Sequence, residues 1–259
     1  MTIKSLALFI LKYIGERVLQ LNLEIKGPYT NWQNAINDSD TYDSIIICKK
    51  VERATRDVLE SKMEYERDGT TFVSKPNKYP LGDVLENTLR NSGKILDFGG
   101  GMGGTFLANR EILERKNIAY FILEQASFAE VGKRLAREYR LPIIFRSRIS
   151  SQLLSNVDVL ILSGVIQYIG DYKSKIHKLI SRKPKVIVLD RIPLSTAETK
   201  IWVQRNLGYY QTSTTYPVHY FNKLELLAQF QGYDVIQEWH SPFDPKNYFG
   251  FLLEIHKAN

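Results

Sequence analysis

The stretch Lys94-Ile95-Leu96-Asp97-Phe98-Gly99-Gly100-Gly101-Met102-Gly103-Gly104 decides the fold. A short apolar strand runs into a glycine cluster, and Phe106, Leu107 and Leu113 then recur at helical spacing. Glycine lets the backbone turn sharply and approach a ligand closely, with helix N–H groups at hand. Outward from this unit the rhythm repeats. Ala119 to Leu123 is a second strand, Ile143 to Phe145 a third, Val157 to Leu162 a fourth and Val186 to Leu189 a fifth. Such continuously apolar runs suit strands buried on both faces. Between the second and third strands, Phe128, Val131, Leu135 and Tyr139 mark one helix face, which Ser127 and Glu130 open as a capping box. Strand–helix alternation predicts a doubly wound, mainly parallel α/β sheet.

The two ends of the chain differ from this middle. Asp234 to Trp239 and Phe249 to Ile255 are strands separated by about nine residues, too few for a parallel crossover, so they predict a terminal antiparallel hairpin on the sheet edge. Residues 1–80 read as a helical cap, with Val51, Ala54, Val58 and Leu59 on one helix face and a turn at Glu66-Arg67-Asp68-Gly69. Pro76 and Pro80 place a boundary near residue 80. The expected organisation is an N-terminal helical cap over 1–80 and a seven-stranded, Rossmann-like core over 81–259.

Composition narrows the function classes. The chain has 259 residues, of which 44% are hydrophobic and 24% charged, values that exclude a mainly disordered protein. One cysteine, Cys48, excludes an intrachain disulfide framework and a thiolate-rich zinc site, and fits a reducing, cytoplasmic setting. The net charge of +7 permits an anionic partner without requiring one. The basic run from Lys173 to Lys185 precedes the fifth strand, at the amino ends of the strands, and reads as a solvated helix face. Residues 1–21 place Leu6, Phe9, Ile10, Tyr13 and Ile14 at helical spacing among Lys4, Lys12 and Arg17. This segment is too charged to span a bilayer; it is either a helix packed on its own domain or a peripheral membrane or partner contact.

The glycine spacing fits two patterns. Gly99, Gly101 and Gly104 satisfy G-x-G-x-x-G of dinucleotide binders, whereas Asp97, Gly99, Gly101 and Gly103 satisfy D-x-G-x-G-x-G. Three features favour the second. Asp97 ends its strand, no Tyr-x-x-x-Lys pair exists, and the terminal hairpin differs from a dehydrogenase ending. Glu124 ends the next strand, where a carboxylate can accept both hydroxyls of an adenosine ribose.

The segments ILDFGGGMGG, FILEQ, VDVLILSGVIQYI and VIVLDRIP together resemble the class I S-adenosylmethionine-dependent methyltransferases over residues 83–259. The resemblance implies that Asp97, Phe98, Gly99, Gly100, Gly101 and Gly103 border the methionine part of S-adenosylmethionine. It implies that Glu124 holds the ribose with Gln125 near the adenine, and that Ser163 and Gly164 lie under the cofactor facing the substrate. Arg146-Ser147-Arg148 departs from the acidic adenine contact of many members. Gly27-Pro28-Tyr29, Trp32, Tyr65 to Asp68, Tyr216-Pro217 and His219-Tyr220-Phe221 are similar to a group of bacterial methyltransferases associated with surface-polysaccharide biosynthesis.

A hydroxyl acceptor needs a group to take its proton. His219 is the first candidate for its near-neutral imidazole, and Asp190, at the end of the fifth strand, the second. Arg191 can clamp a substrate phosphate or carboxylate. Gln204, on an expected helix after the fifth strand, and Tyr216 and Tyr220 line the acceptor side, and Arg67 and Asp68 close over the cofactor from the cap. The scattered histidines suggest no metal site, and no basic recognition module or Asn-Pro-Pro-Tyr-type motif suggests nucleic acid. The expected activity is O-methylation of a sugar, nucleotide sugar or other polar small molecule. The alternatives are an NAD(P)-dependent oxidoreductase and a non-catalytic cofactor-binding scaffold in polysaccharide assembly.

Overall fold

The computed structural model describes residues 23–39, 44–74, 80–89, 91–206, 214–241 and 247–256. The chain runs β1 (Leu23–Tyr29), α1 (Trp32–Asn37), α2 (Ser44–Leu59), β2 (Tyr65–Arg67), β3 (Thr70–Phe72) and α3 (Pro80–Thr88). There follow β4 (Lys94–Phe98), α4 (Gly104–Ala108), α5 (Arg110–Arg115), β5 (Ala119–Leu123), α6 (Ala126–Glu138), β6 (Ile143–Arg146), α7 (Ser151–Leu154) and β7 (Val159–Ser163). After a 3₁₀ turn over Ile166–Tyr168 come α8 (Tyr172–Ile180), β8 (Val186–Ser195), β9 (Lys200–Asn206), β10 (Thr214–Asn222), α9 (Lys223–Leu227), β11 (Tyr233–His240) and β12 (Tyr248–Ile255).

The expected α/β core is present. Strands β6, β5, β4, β7 and β8 lie side by side and parallel. Ile95, Ile122, Ile161 and Val188 pack on one face with residues of α3, α4 and α6, while Leu96, Leu160, Ile187 and Leu189 pack on the other with α7, α8 and α9. Strand alternation thus feeds two cores, which is why these runs are apolar without interruption. The terminal pair β11–β12 is antiparallel, as expected. It is not simply appended to the edge, however: β12 also pairs antiparallel with β8, so it lies between β8 and β11.

Three expectations are corrected. Among the described residues the sheet has ten strands rather than seven, because β1, β9 and β10 form an antiparallel ribbon in the order β1-β9-β10. The helix expected to carry Gln204 is β9, whose backbone bonds go to β1 on one side and β10 on the other. The cap is only partly helical: its first described element is β1, and Tyr65–Phe72 forms the hairpin β2–β3. A smaller correction concerns α6, which begins at Ala126 behind an N-cap Gln125 with no side-chain cap bond, so Ser127 lies inside the helix. The segment 1–21, and with it the membrane or partner contact, lies outside the described residues. Among the described residues, no helix is long and apolar enough to cross a membrane.

Strand β8 carries the ribbon to the site. Its last pair with β7 is Ser163↔Asp190. Arg191 to Ser195 run on past the end of β7, a further rise of roughly 16 Å. There Leu194 and Ser195 pair with Phe221 and Asn222 of β10. The ribbon is thereby carried beyond the carboxyl ends of the parallel strands, the edge at which open α/β sheets bind ligands.

Candidate functional site

The glycine loop sits where β4 passes into α4. Gly99, Gly101 and Gly103 all take left-handed φ values, 76°, 58° and 100°. At Gly99 the requirement is double, since a Cβ there would also overlap Val165 after β7. Asp97 is 1% exposed beneath the loop, and Tyr120 Oη donates to its Oδ2 at 2.7 Å. Burial, reinforced by the charge of Glu124, pushes its carboxyl up to about 7, against the opposing hydrogen bond from Tyr120. Asp97 therefore supports the loop from below. Above the loop the space is open: a Cβ at Gly101 would meet nothing within 4 Å.

Glu124 follows β5, whose last pair is Phe98↔Leu123, so its carboxylate stands beside the loop. It accepts from the Gln125 N–H. Burial raises its carboxyl, while the Gln125 and Gly101 N–H groups act in the opposite direction. An acidic side chain beside an open glycine loop, at adjacent strand ends, fits the ribose and methionyl parts of S-adenosylmethionine.

Asp190 is fully buried and densely bonded. It accepts from Ser163 Oγ at 3.0 Å, Trp239 Nε1 at 3.1 Å and Ser241 Oγ at 3.2 Å, and its backbone carbonyl accepts from Gly164 N at 2.9 Å. Arg191 extends over Gly164 and pairs with Asp68 at the tip of the β2–β3 hairpin. The same hairpin contacts α4, and Glu66 reaches the first residue of that helix, where a Cβ on Gly104 would overlap its Oε1. Burial and the nearby Asp68 push the Glu66 carboxyl up to about 7, with the Gly69 N–H and Arg191 opposing. Arg67 is 6% exposed next to Asp68.

The cap thus reaches the loop by two routes. The second is α2, which places Ile47, Cys48 and Val51 in one cluster with Met102, Phe128 and Leu135. Arg56 forks onto Glu138 at 2.6 and 2.9 Å, and Arg134 donates to Glu52 at 2.7 Å, tying α2 to α6.

The structure divides the remaining candidates between two faces of the ribbon. Gln204 pairs across from Tyr216, and its Nε2 donates to Tyr216 Oη at 3.0 Å. Tyr216 also meets Tyr168 edge-on at 5.2 Å, while Tyr220 approaches Trp202 and Tyr248, each at 6.4 Å. His219 is offset by three from Tyr216 and by one from Tyr220, so it points to the opposite face. There it stacks on Trp32 at 4.4 Å and on Phe221 at 5.5 Å, with Tyr172 edge-on at 4.9 Å. It is 5% exposed, and neither ring nitrogen completes a hydrogen bond. Burial lowers its pKa to about 4, partly offset by the nearby backbone of Gly170 and Ile169. His219 is therefore neutral near pH 7.

Asp68 is read from the sequence, with Arg67, as closing over the cofactor from the cap, and Trp32 and Glu66 only as parts of a resemblance, whereas the sequence assigns no site role to Gln167 or Ser241. All five come from segments far from the glycine loop in the chain, and no local spacing links them to it. Among the described residues, no group of three or more His, Cys, Asp or Glu is placed to hold a metal ion.

No family model and no curated protein matches the sequence. Solved structures do match in fold. One is the 1,6-didemethyltoxoflavin-N1-methyltransferase of Burkholderia thailandensis, solved with 1,6-didemethyltoxoflavin and S-adenosylhomocysteine. It is 10% identical, with a TM-score of 0.51 over 90% of this chain and 93% of that one. Another is the N-terminal domain of EvdMO1, solved in the presence of S-adenosylhomocysteine and D-fucose. It is 12% identical, with a TM-score of 0.50 over 80% of this chain and 97% of that one. At such identities the likeness is one of fold, and it places this chain's core among mixed α/β, Rossmann-like architectures.

Proposed function

We propose that the protein is an S-adenosylmethionine-dependent methyltransferase acting on a polar small molecule, with a sugar or nucleotide-sugar hydroxyl in bacterial glycan biosynthesis as the favoured acceptor. The observation that carries this reading is the strand order β6-β5-β4-β7-β8-β12-β11 with β12 antiparallel, combined with the glycine loop and Glu124 at adjacent strand ends. The dinucleotide-binding sheet of dehydrogenases instead runs 3-2-1-4-5-6, without an antiparallel strand inserted next to its fifth strand. Two structures of similar fold were solved with S-adenosylhomocysteine, which supports the choice of cofactor.

When bound, S-adenosylmethionine supplies an activated methyl group. Phe98 and Gly99 to Gly103 would border it, with Glu124 at the ribose and Gln125 near the adenine, and Ser163 and Gly164 would lie beneath it. The ribbon and the 3₁₀ turn supply the acceptor side through Tyr216, Tyr220, Gln204 and Arg191. His219 is kept as the candidate proton acceptor for its neutral ring and unpartnered nitrogens, although it faces away from Tyr216 and Tyr220 and burial weakens it as a base. Asp190, fastened by three donors, positions the end of β8.

Calorimetry with S-adenosylmethionine, S-adenosylhomocysteine and NADH tests the reading. Saturable binding of the first two, weakened about ten-fold or more by Glu124→Ala, is the expected result. Binding of NADH alone overturns it. Turnover on a glycan or nucleotide-sugar panel, lost in His219→Gln while S-adenosylhomocysteine binding persists, separates the enzyme from a cofactor-binding scaffold.

A further inference from the structure

Arg191 is the residue at which β8 departs from regular pairing. Leu189 pairs with Phe251 and Ile192 with Phe249, so Asp190 and Arg191 together oppose Gly250. This is a β-bulge, a device that re-aims a side chain. Arg191 holds φ at 58°, a left-handed backbone that is unfavourable for a long side chain. The surroundings hold it there. Its N–H donates to Ser241 Oγ at 3.1 Å, and its carbonyl accepts from Gln167 Nε2 at 3.1 Å. Asp190, immediately before it, is fixed by Ser163, Trp239 and Ser241. Gln167 is 1% exposed.

The bulge delivers the guanidinium across the end of β7. Gly164 clears the way, since a Cβ there would stand 3.1 Å from Arg191 Cζ and Nη1. The guanidinium fork meets both carboxylate oxygens of Asp68. The two partners differ in how they are held. Arg191 is held through its backbone by Ser241 and Gln167, whereas Asp68 sits on a two-residue hairpin turn with Gly69 and is 49% exposed. Arg67 Nε is 4.0 Å from the same carboxylate, and Glu66 is the other acid in the cluster. Strained backbone persists where its surroundings over-determine it, and it concentrates at ligand clamps. A guanidinium aimed by such a bulge presents a planar fork that matches an oxyanion.

The geometry points to Arg191 as a preorganised oxyanion receptor, occupied by Asp68 as an internal stand-in that a ligand phosphate or carboxylate displaces. This rests on the methyl-transfer reading for the two sources of that anion: the carboxylate of the cofactor's methionyl part, or a phosphate on the acceptor.

The test titrates inorganic pyrophosphate, S-adenosylhomocysteine and 5′-methylthioadenosine (which lacks the aminocarboxylate) into the wild type, Asp68→Asn and Arg191→Gln. Asp68→Asn keeps the size of the side chain and leaves the bulge untouched. If the acceptor supplies the anion, Asp68→Asn binds pyrophosphate about five- to ten-fold tighter than wild type, and Arg191→Gln abolishes that binding. If the cofactor supplies it, the same pattern appears with S-adenosylhomocysteine and not with methylthioadenosine. Equal affinities of all three proteins for all three probes overturn the receptor. Failure of the wild type to bind either adenosine compound overturns the methyl-transfer reading instead, and the pyrophosphate titration still decides the receptor.

Discussion

Asp97 combines two duties that conflict electrostatically. It fills the space beneath the glycine loop, where a Cβ at Gly100 would overlap it, and it carries an ionisable group into that space. With its folded pKa near 7 and an unfolded value of about 3.9, the folded protein holds this proton more tightly than the unfolded chain. Its contribution to stability is fully present below about pH 4 and is lost as pH rises toward 7. Asp97→Asn still offers Tyr120 an acceptor oxygen but carries no charge. Its melting temperature is expected to exceed that of the wild type at pH 8, with the gap narrowing at pH 5; an equal gap at both pH values would sink this account. The loop itself was legible in the sequence because its residues are contiguous and glycine is the residue a left-handed turn demands. The parity that separates His219 from Tyr216 was not, because it requires knowing that residues 214–222 form a strand.

At the scale of elements, the buried parallel strands announced themselves as short apolar runs, and the last two strands were distinguished by the shortness of their link. The ribbon gave no such signal. Lys200 to Asn206 becomes a strand because Leu23 to Tyr29, over 170 positions earlier, supplies one of its partners. Ile201, Trp202 and Val203 already suit a strand, and the tertiary pairing realises that preference. The length of β8 was underestimated for the same reason, since its second half gains partners from β12 and β10. Gly250 marks the point where these elements meet. A Cβ there would overlap the Trp239 indole, whose Nε1 fastens Asp190. Gly250→Ala is expected to cost about 1–3 kcal/mol through forced displacement of that ring. A urea titration reads the loss, and an unchanged midpoint would refute the role given to this contact.

For the whole molecule, the boundary near residue 80 separates two textures of sequence, yet contacts cross it from β1, Trp32, α2 and the β2–β3 hairpin. β1 completes the ribbon through β9, and α2 packs on the glycine loop and α6. A chain restricted to residues 81–259 leaves the β9 edge unpaired, an invitation to aggregation, and uncovers Met102, Phe128 and Leu135. We expect that fragment to associate in size-exclusion chromatography and to lose S-adenosylhomocysteine binding. A monomeric fragment with wild-type affinity would show that the first 80 residues are dispensable for cofactor binding.

The manner in which the ribbon joins the sheet has a consequence for how such a protein diversifies. Strand β10 meets the parallel sheet at Leu194 and Ser195, beyond the last pair that β8 makes with β7. Most of the ribbon's backbone bonding is internal to β1, β9 and β10. It is therefore an exchangeable cassette: its outward side chains can be rewritten for a new molecule, in nature or at the bench, while the glycine loop and the strands that carry it keep their own backbone pairings.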